Sequence, residues 1–352
     1  MRIIYKIKRY YKRAYLLGHY PSFLSVIRSK NKILIYYGFL GDSNFGDEVV
    51  YEAAKTLFSQ NILIPVKKKM PLSLAFFCKI FNKRVYGIII GGGTLFGRLM
   101  EQDFFQYMAD LRKPTFIHGT GAHKEMGSLE SWGLLLNKPL FGGVRGPLSV
   151  QNLLKYGFSM NIGGDAAFSL FETPDPIYNN RELTKNILVN VGTHNAYNGS
   201  INTQFVLKEF IKRCILEGYH IQFLPFYAID LNIAEEFKIE IPQIEILMIP
   251  VSYAECIQYF HKSMFSIGER LHFSVMALLG NCPFLSINYD KKHEDFLYSV
   301  ELINSGISPE DISLEIVVEA FENRGSFEWQ EINKRIISLK NFQFEQSNKF
   351  VN

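Results

Sequence analysis

The feature that most constrains the fold of this chain is a repeated alternation of short apolar runs with longer mixed segments. The runs are rich in β-branched and aromatic residues and nearly continuous in hydrophobicity, which is typical of parallel strands covered on both faces. They fall at residues 32–39, 84–90, 115–119, 140–146, 186–192, 220–226, 244–250, 264–270 and 283–290. The spacers 49–60, 149–157 and 202–218 are predicted to be helices. The alternation therefore predicts an α/β fold with parallel sheets.

The strands form two sets, separated by the polar, Pro-containing segment 172–186, which is the best candidate for a linker. We predict two Rossmann-like domains facing a cleft. The N-terminal domain would cover residues 31–175, the C-terminal domain 186–307, and further helices 308–352. The length of 352 residues suits two domains of ordinary size, and a hydrophobic fraction of 47% excludes extensive disorder.

Residues 1–30 form a basic segment in which aromatic and bulky apolar residues are interleaved with the charges. The segment lacks the continuous apolar core of a signal peptide. The sequence contains no run of 18 apolar residues, so no transmembrane helix is predicted. Two interpretations stay open. In the first, the segment is a helix that lies on an anionic membrane surface. In the second, it is a basic helix on the protein surface, or a frayed end, and contacts nothing.

Composition excludes several classes of function. The net charge of +4 is too small to indicate nucleic-acid binding across the surface. No pair of cysteines has the C-x-x-C spacing of a zinc site or a redox pair, so we expect free thiols in a reducing cytoplasm. We also find no cluster that predicts a metal site. The cysteines are Cys78, Cys214, Cys256 and Cys282.

Polar residues and glycines gather where the predicted strands end, which is where open parallel sheets bind ligands. In the first set these residues are Asn44, Asp47, Gly92, Gly93, His118, Arg145 and Asp165. In the second set they are His194, Arg270, His272, Tyr289 and Lys291.

Some of these positions have plain structural alternatives. The run GGGTLFG at 91–97 matches neither a P-loop nor G-x-G-x-x-G, so it is compatible with a tight turn. Asp47 can cap a helix or contact a ligand, and Asp165 can bond to the amides of a turn. His118 and His194 can be ordinary turn or partly buried histidines.

Arg145 and the pair Arg270 and His272 carry more information. A buried arginine is costly unless it meets an anion, and a guanidinium binds a carboxylate or phosphate through two parallel hydrogen bonds. Two arginines at strand ends of opposite domains would flank one cleft. The alternative is a salt bridge to a protein carboxylate such as Glu269 or Asp165. We favour an anion site.

The ordered motifs resemble those of the polysaccharide pyruvyl transferase family, over about residues 32–292. They are NFGDE (44–48), GGGTLF (91–96), RGPLSV (145–150), GDAAFSL (164–170), ERLHFSVMALLG (269–280) and NYDKK (288–292). The Arg-Leu-His element is the most specific of them. The chain departs from the family pattern before Asn44, where the family often has more glycines, and at Ala166, where it often has proline.

The resemblance implies a fold similar to the GT-B glycosyltransferases, a phosphoenolpyruvate donor and a pyruvate ketal on a sugar of a cell-surface glycan. No cofactor is implied beyond the donor substrate. Arg270 and Leu271 would hold the donor, His272 would transfer protons and Arg145 would be the second donor-binding arginine. Asn44, Asp47, Gly92 and Gly93 are also predicted to bind the donor, and His118, Asp165, His194, Tyr289 and Lys291 complete the predicted site.

The expected reaction begins when a proton adds to the methylene carbon of phosphoenolpyruvate. One sugar hydroxyl then attacks C2, phosphate leaves, and a second hydroxyl of the same sugar closes the ketal. This chemistry needs a proton donor and a base, and a histidine, with an ordinary pKa of about 6.5, suits both tasks.

The expected partners are phosphoenolpyruvate and a sugar acceptor, either a glycan or a lipid-linked oligosaccharide of exopolysaccharide or capsule synthesis. The expected location is the cytoplasm, with peripheral contact at the inner face of the membrane. Two alternatives stay open at this point. One is a GT-B glycosyltransferase that uses a nucleotide sugar, and the other is a non-enzymatic scaffold that binds glycan or phosphoanion.

Overall fold

The computed structural model describes residues 28–40, 44–66, 84–97, 113–125, 140–173, 185–192 and 200–352, together with Val26, Trp132, Gly133 and Leu136. By its contacts the chain divides into two compact units. The first unit contains the chain before Asn44, Asp47–Leu170 and Ile337–Asn352. The second contains Asn44–Gly46 and Phe171–Ile336.

The first unit is built on a six-stranded parallel sheet with the strand order β2-β1-β3-β5-β7-β8. Its strands are β1 (Ile33–Tyr37), β2 (Ile62–Val66), β3 (Val85–Ile90), β5 (Thr115–His118), β7 (Leu140–Val144) and β8 (Asn161–Ile162). A separate parallel pair is formed by β4 (Thr94–Phe96) and β6 (Gly121–Ala122). Its helices include α1 (Phe45–Leu57), whose first two residues belong to the second unit, and α2 (Pro147–Leu154).

The second unit also has a six-stranded parallel sheet, in the order β11-β10-β9-β12-β13-β14. Its strands are β9 (Asn186–Asn190), β10 (His220–Phe223), β11 (Glu245–Ile246), β12 (Phe265–Gly268), β13 (Phe284–Ile287) and β14 (Gly306–Ile307). Its helices include α3 (Ser200–Leu216), α4 (Asp230–Glu240), α5 (Tyr253–His261), α6 (Leu271–Leu279), α7 (Lys291–Ser299) and α8 (Leu314–Glu322). The long helix α9 (Trp329–Val351) begins in this unit.

The predicted α/β class with parallel sheets is confirmed. Every residue of β1, β5, β12 and β13 is buried, as expected for strands covered by helices on both faces. In the second unit the strand order reverses direction between β9 and β12, and in the first unit between β1 and β3. Ligands of open α/β sheets bind beyond the carboxyl ends of the strands at such a switch point.

The sequence pattern did not predict strand β2, because Pro65 interrupts its apolar run. Proline removes a ladder donor and is tolerated only at sheet edges, and β2 is indeed an edge strand. The strand expected over 244–250 is reduced to Glu245–Ile246, also at an edge. Residues 1–25 of the basic segment and 174–184 of the candidate linker lie outside the described residues. In the part of the chain that the structure describes, no helix has both the length and the apolar composition to cross a bilayer.

The end of helix α9 belongs to the first unit, whereas the sequence grouped 308–352 as one set of terminal helices. Phe350 is buried, and its ring lies 5.5 Å from those of Phe116 and Phe141 and 5.8 Å from that of Phe58, measured between centroids. The amide of Gln343 donates to the carbonyl oxygens of Gly163 and Asp165. The chain therefore returns to the first unit at Ile337 because its last residues pack on aromatic rings that are far away in the sequence.

Replacing Phe350 with alanine should lower the free energy of unfolding by about 3–5 kcal/mol, because it leaves a cavity among aromatic rings. Urea denaturation of the full chain measures this change. Lys349→Ala is the matched control, since Lys349 is exposed on the adjacent position and its loss should change stability by less than about 0.5 kcal/mol. Equal stabilities of the two variants would contradict the role assigned to this helix.

Candidate active site

The candidate site lies at the junction between β12 and α6. All nine residues of α6 are buried, so the helix is part of the core. Arg270 occupies the N-cap position in an extended conformation (φ −76°, ψ 128°). The sharp change from strand to buried helix therefore leaves Arg270 and His272 at the carboxyl edge of the sheet, at its switch point.

The guanidinium of Arg270 pairs with the carboxylate of Asp230. Its Nε lies 3.2 Å from Oδ2 of Asp230, and its Nη2 donates to Oδ1. Burial opposes the charge on Arg270, but the hydrogen bond and negative charge of Asp230 outweigh burial and raise the pKa of Arg270. The expected alternative of a carboxylate partner is therefore present, and the partner is Asp230. The carboxylate of Glu269 instead accepts from the backbone N–H of Gly192 at 2.7 Å.

Strand order explains how Arg270 reaches Asp230. Asp230 follows β10, Gly192 follows β9 and Arg270 follows β12, so the arginine side chain crosses the end of the intervening strand. A methyl group at Gly192 would lie 2.8 Å from Cζ of Arg270. Only a glycine leaves room for the guanidinium at this point.

The backbone at the junction is anchored on both sides. Asn190, the last residue of β9, accepts from the Arg270 N–H through Oδ1 at 3.2 Å and donates through Nδ2 to the carbonyl of Leu224 at 2.9 Å. Nε2 of the fully buried His293 lies 2.9 Å from the carbonyl oxygen of Glu269. The end of β9 and helix α7 thus hold the turn that presents Arg270.

His272 is the second residue of α6 and is 8% exposed. The backbone of Gly46 lies against its imidazole, since a methyl group at Gly46 would be 2.7 Å from Cγ. Gly46 is set by Asn44, whose Oδ1 accepts from the Gly46 N–H at 3.1 Å in the manner of a helix N-cap. Asn44 also forms an isolated bridge with Tyr227, whose ring centroid is 5.5 Å from Cζ of Arg270. The structure therefore brings Asn44, Arg270 and His272 together within the second unit.

Tyr289 also belongs to this group. Burial raises its pKa, although the nearby charge of Arg270 lowers it, so the phenol stays protonated at neutral pH. Nζ of Lys292 lies 2.5 Å from the Tyr289 hydroxyl. Lys291, the lysine singled out from the sequence, is exposed and pairs with Glu294 at 2.7 Å. The lysine that faces this site is Lys292.

A second cluster occupies the first unit around Arg145, which is only 1% exposed. Its Nε lies 3.4 Å from Oδ2 of Asp165, and its Nη2 donates to the carbonyl oxygen of Gly93. That oxygen also accepts from Thr120 Oγ1 at 3.2 Å and from the N–H of Gly121 at 2.8 Å. Arg145 therefore also pairs with a protein carboxylate, and the partner is Asp165, one of the two acids expected from the sequence.

The other first-unit positions have structural surroundings. Gly92 packs against Val50, and Asp47 lies in the first turn of α1, one turn after the Asn44 cap. Asp165 accepts from the Ala167 N–H at 3.0 Å, as the turn interpretation expects. His118 is fully buried at the end of β5. Leu271 is buried as the first residue of α6, and His194 lies outside the described residues.

Sequence reasoning missed Asp230, Gly192, Gly46 and Lys292. Asp230 stands 40 residues before Arg270 and outside the quoted motifs, so only the strand order reveals the pair. Gly46 and Lys292 lie inside two of those motifs, and the signal for them was their proximity to Asn44 and Tyr289.

Stability should fall between pH about 6.5 and pH about 4 because of His118. Burial lowers the pKa of His118 to about 4, and the charge of Asp165 offsets only part of this effect. In this window the unfolded chain binds more protons than the folded chain, so the free energy of unfolding decreases as the pH falls. Relative to pH 7, this contribution of His118 lowers the free energy of unfolding at pH 5 by about 2 kcal/mol.

His118→Gln should remove that contribution, which urea denaturation at pH 7 and pH 5 will measure. The exposed His220, changed to glutamine, is the matched control. An unchanged pH dependence in His118→Gln would show that the ring is charged in the folded protein.

The site can be compared with known proteins. The sequence model of the polysaccharide pyruvyl transferase family matches residues 44–291. No curated protein matches the chain in sequence. Among solved structures, UDP-GlcNAc 2-epimerase from Methanocaldococcus jannaschii is similar with a TM-score of 0.55 at 11% identity, over 84% of this chain and 93% of that chain.

UDP-GlcNAc 2-epimerase from Neisseria meningitidis, bound to UDP-GlcNAc, gives a TM-score of 0.54 at 11% identity, over 86% of this chain and 93% of that chain. These likenesses show a shared GT-B-like fold. The family match begins at the Asn44 cap, ends at Lys291 and includes the Arg270–His272 junction. The chain belongs to the polysaccharide pyruvyl transferase family.

Proposed function

We propose that this chain transfers the three-carbon group of phosphoenolpyruvate to a sugar, forms a cyclic pyruvate ketal and releases phosphate. The observation that carries the proposal is the junction of β12 and α6. There a guanidinium and an imidazole stand two residues apart at a sheet switch point, in a chain that belongs to this family. The guanidinium suits the anionic donor and the imidazole suits its proton transfers.

The proposed reaction adds one proton and one sugar hydroxyl across the enol double bond. His272 gives its proton to the methylene carbon, which becomes the methyl group, and the first sugar oxygen bonds to C2. The C2–O bond to phosphate then breaks with both electrons on the phosphate oxygen. The second sugar oxygen closes the ring, and of the two hydroxyl protons one restores His272 and the other leaves with phosphate.

The surroundings of His272 support this role. Its ring is held against the Gly46 backbone and is largely shielded from water, so a proton on it has a defined direction. The preceding arginine would hold the carboxylate or phosphate of the donor and stabilise the negative charge that develops on the departing phosphate.

Arg145 stays the predicted second donor-binding arginine. Among the described residues, its buried Nη1 has no hydrogen-bond partner. Leaving a buried charged donor unsatisfied is unfavourable, and a carboxylate or phosphate oxygen would satisfy it. The unsatisfied Nη1 donor of Arg145 therefore supports an anion site in the first unit.

We propose a glycan or a lipid-linked oligosaccharide of exopolysaccharide or capsule synthesis as the acceptor. The family supports a polysaccharide product. The basic and aromatic residues 1–30 support peripheral contact with the inner face of the membrane by an enzyme of the cytoplasm.

The test is phosphate release by the purified chain with phosphoenolpyruvate and a panel of galactosides and other hexosides. Release should require both donor and acceptor, and mass spectrometry should find the ketal on the sugar. His272→Gln should lower kcat by about 100-fold or more, because it removes the proton carrier. Arg270→Lys should raise the KM for phosphoenolpyruvate, because lysine lacks the planar fork.

Exposed residues of the same types, changed as His220→Gln and Arg213→Lys, are the matched controls and should retain wild-type rates. The proposal is wrong if a nucleotide sugar raises the melting temperature while phosphoenolpyruvate does not, which would indicate a glycosyltransferase. Donor binding without turnover on any acceptor would instead indicate a binding scaffold. Wild-type rates in His272→Gln would show that His272 is not the proton carrier.

Gly46→Ala should lower kcat at least about tenfold, because the new methyl group would displace the His272 imidazole. Alanine otherwise favours a helix over glycine, so loss of helix propensity cannot cause the effect. Gly325→Ala is the matched control, since its added methyl group meets no atom within 4 Å. Normal turnover in Gly46→Ala would show that the ring position is not critical.

A further inference from the structure

We propose that Asp230 is the positioning residue that orients the Arg270 guanidinium for the anionic donor. The inference rests on the proposed function, in which Arg270 holds phosphoenolpyruvate. Asp230 lies outside every motif that carries the family resemblance. It would act through Arg270 and would not contact the donor itself.

The contact is made at two points. Oδ2 of Asp230 lies 3.2 Å from Nε of Arg270, and Oδ1 accepts from Nη2. Two parallel contacts to a rigid planar group define its rotation as well as its position. A single contact would leave the plane of the guanidinium free to turn.

Asp230 is itself fixed by the backbone. Its carboxylate is fully buried, and Oδ2 accepts from the N–H groups of Phe226 at 3.2 Å and Tyr227 at 3.0 Å. The Asp230 N–H donates back to the carbonyl oxygen of Tyr227 at 2.8 Å. The tight turn before α4 therefore fixes the position of the Asp230 carboxylate, and the carboxylate fixes the orientation of the Arg270 guanidinium.

The burial of the pair is uneven. The side chain of Asp230 is 0% exposed and that of Arg270 is 13% exposed, so the carboxylate faces the interior and the guanidinium lies nearer the surface. A guanidinium has two edges that bind oxygen pairs, and Asp230 uses the Nε–Nη2 edge. The more exposed guanidinium is therefore the member of the pair that would meet the donor.

A purely stabilising role explains this arrangement less well. Buried ion pairs contribute little net stability compared with apolar packing, because both charges lose their hydration. The pair instead requires a glycine at position 192, because a methyl group there would lie 2.8 Å from Cζ of Arg270.

The test compares wild type with Asp230→Asn by calorimetric titration with phosphoenolpyruvate. Two effects oppose each other in the variant. Loss of a negative charge near the site would by itself tighten anion binding, whereas loss of orientation weakens it. We expect orientation to prevail, so the Kd should rise by about 10- to 100-fold with the binding stoichiometry unchanged.

Asp311→Asn, an exposed acid of the same unit, is the matched control and should leave the Kd unchanged. A merely structural role for Asp230 would lower the stoichiometry, through loss of folded protein, and leave the Kd of the remainder as in wild type. In the Asp230→Asn background, Arg270→Lys should weaken binding less than it does in wild type, because the two residues act as one unit.

An unchanged or lower Kd in Asp230→Asn, with wild-type binding established, would overturn this inference and leave the proposed function intact. Failure of the wild-type chain to bind phosphoenolpyruvate would overturn the proposed function, and the inference with it. The two failures are therefore distinct.

Discussion

The ion pair between Asp230 and Arg270 is the interaction on which the end of β12 depends. A guanidinium at the head of a fully buried helix would cost several kcal/mol if it were unpaired. The partner comes from beyond β10, two strands away in the sheet, and the side chain passes the end of β9 to reach it. Gly192, after β9, leaves space for this side chain, and its N–H is bound by the carboxylate of the buried Glu269. The side-chain amide of Asn190 accepts from the backbone N–H of Arg270.

The first unit contains an arginine that crosses a strand end in a related way. Arg145 follows β7, and its Nη2 reaches the carbonyl of Gly93 beyond β3, past the end of β5. A methyl group at Gly121, after β5, would lie 2.9 Å from Nη1 of Arg145. In both units, then, a glycine at the end of the middle strand makes space for an arginine. Gly121 and Gly192 thus leave room for the side chains of Arg145 and Arg270.

The central strands could be predicted because burial on both faces gives them continuous apolar runs. The edges could not, since Pro65 in β2 and the two-residue β11 break the pattern. At the site, motif order identified Arg270 and His272, while the acid that holds Arg270 depends on a contact across 40 residues. Lys291 was preferred to Lys292 because sequence alone does not tell which of two neighbours faces inward at the start of a helix.

Helix α9 has a consequence for the order in which the protein is made. The second unit is complete once Ile336 has been synthesised, whereas the first still lacks Gln343 and Phe350, which close its core. The first unit is thus completed on the ribosome after the second, the reverse of the usual N-terminal-first sequence of domain folding. Until Phe350 has been synthesised, the aromatic rings of Phe58, Phe116 and Phe141 lack their contact with α9 and would expose apolar surface to chaperones.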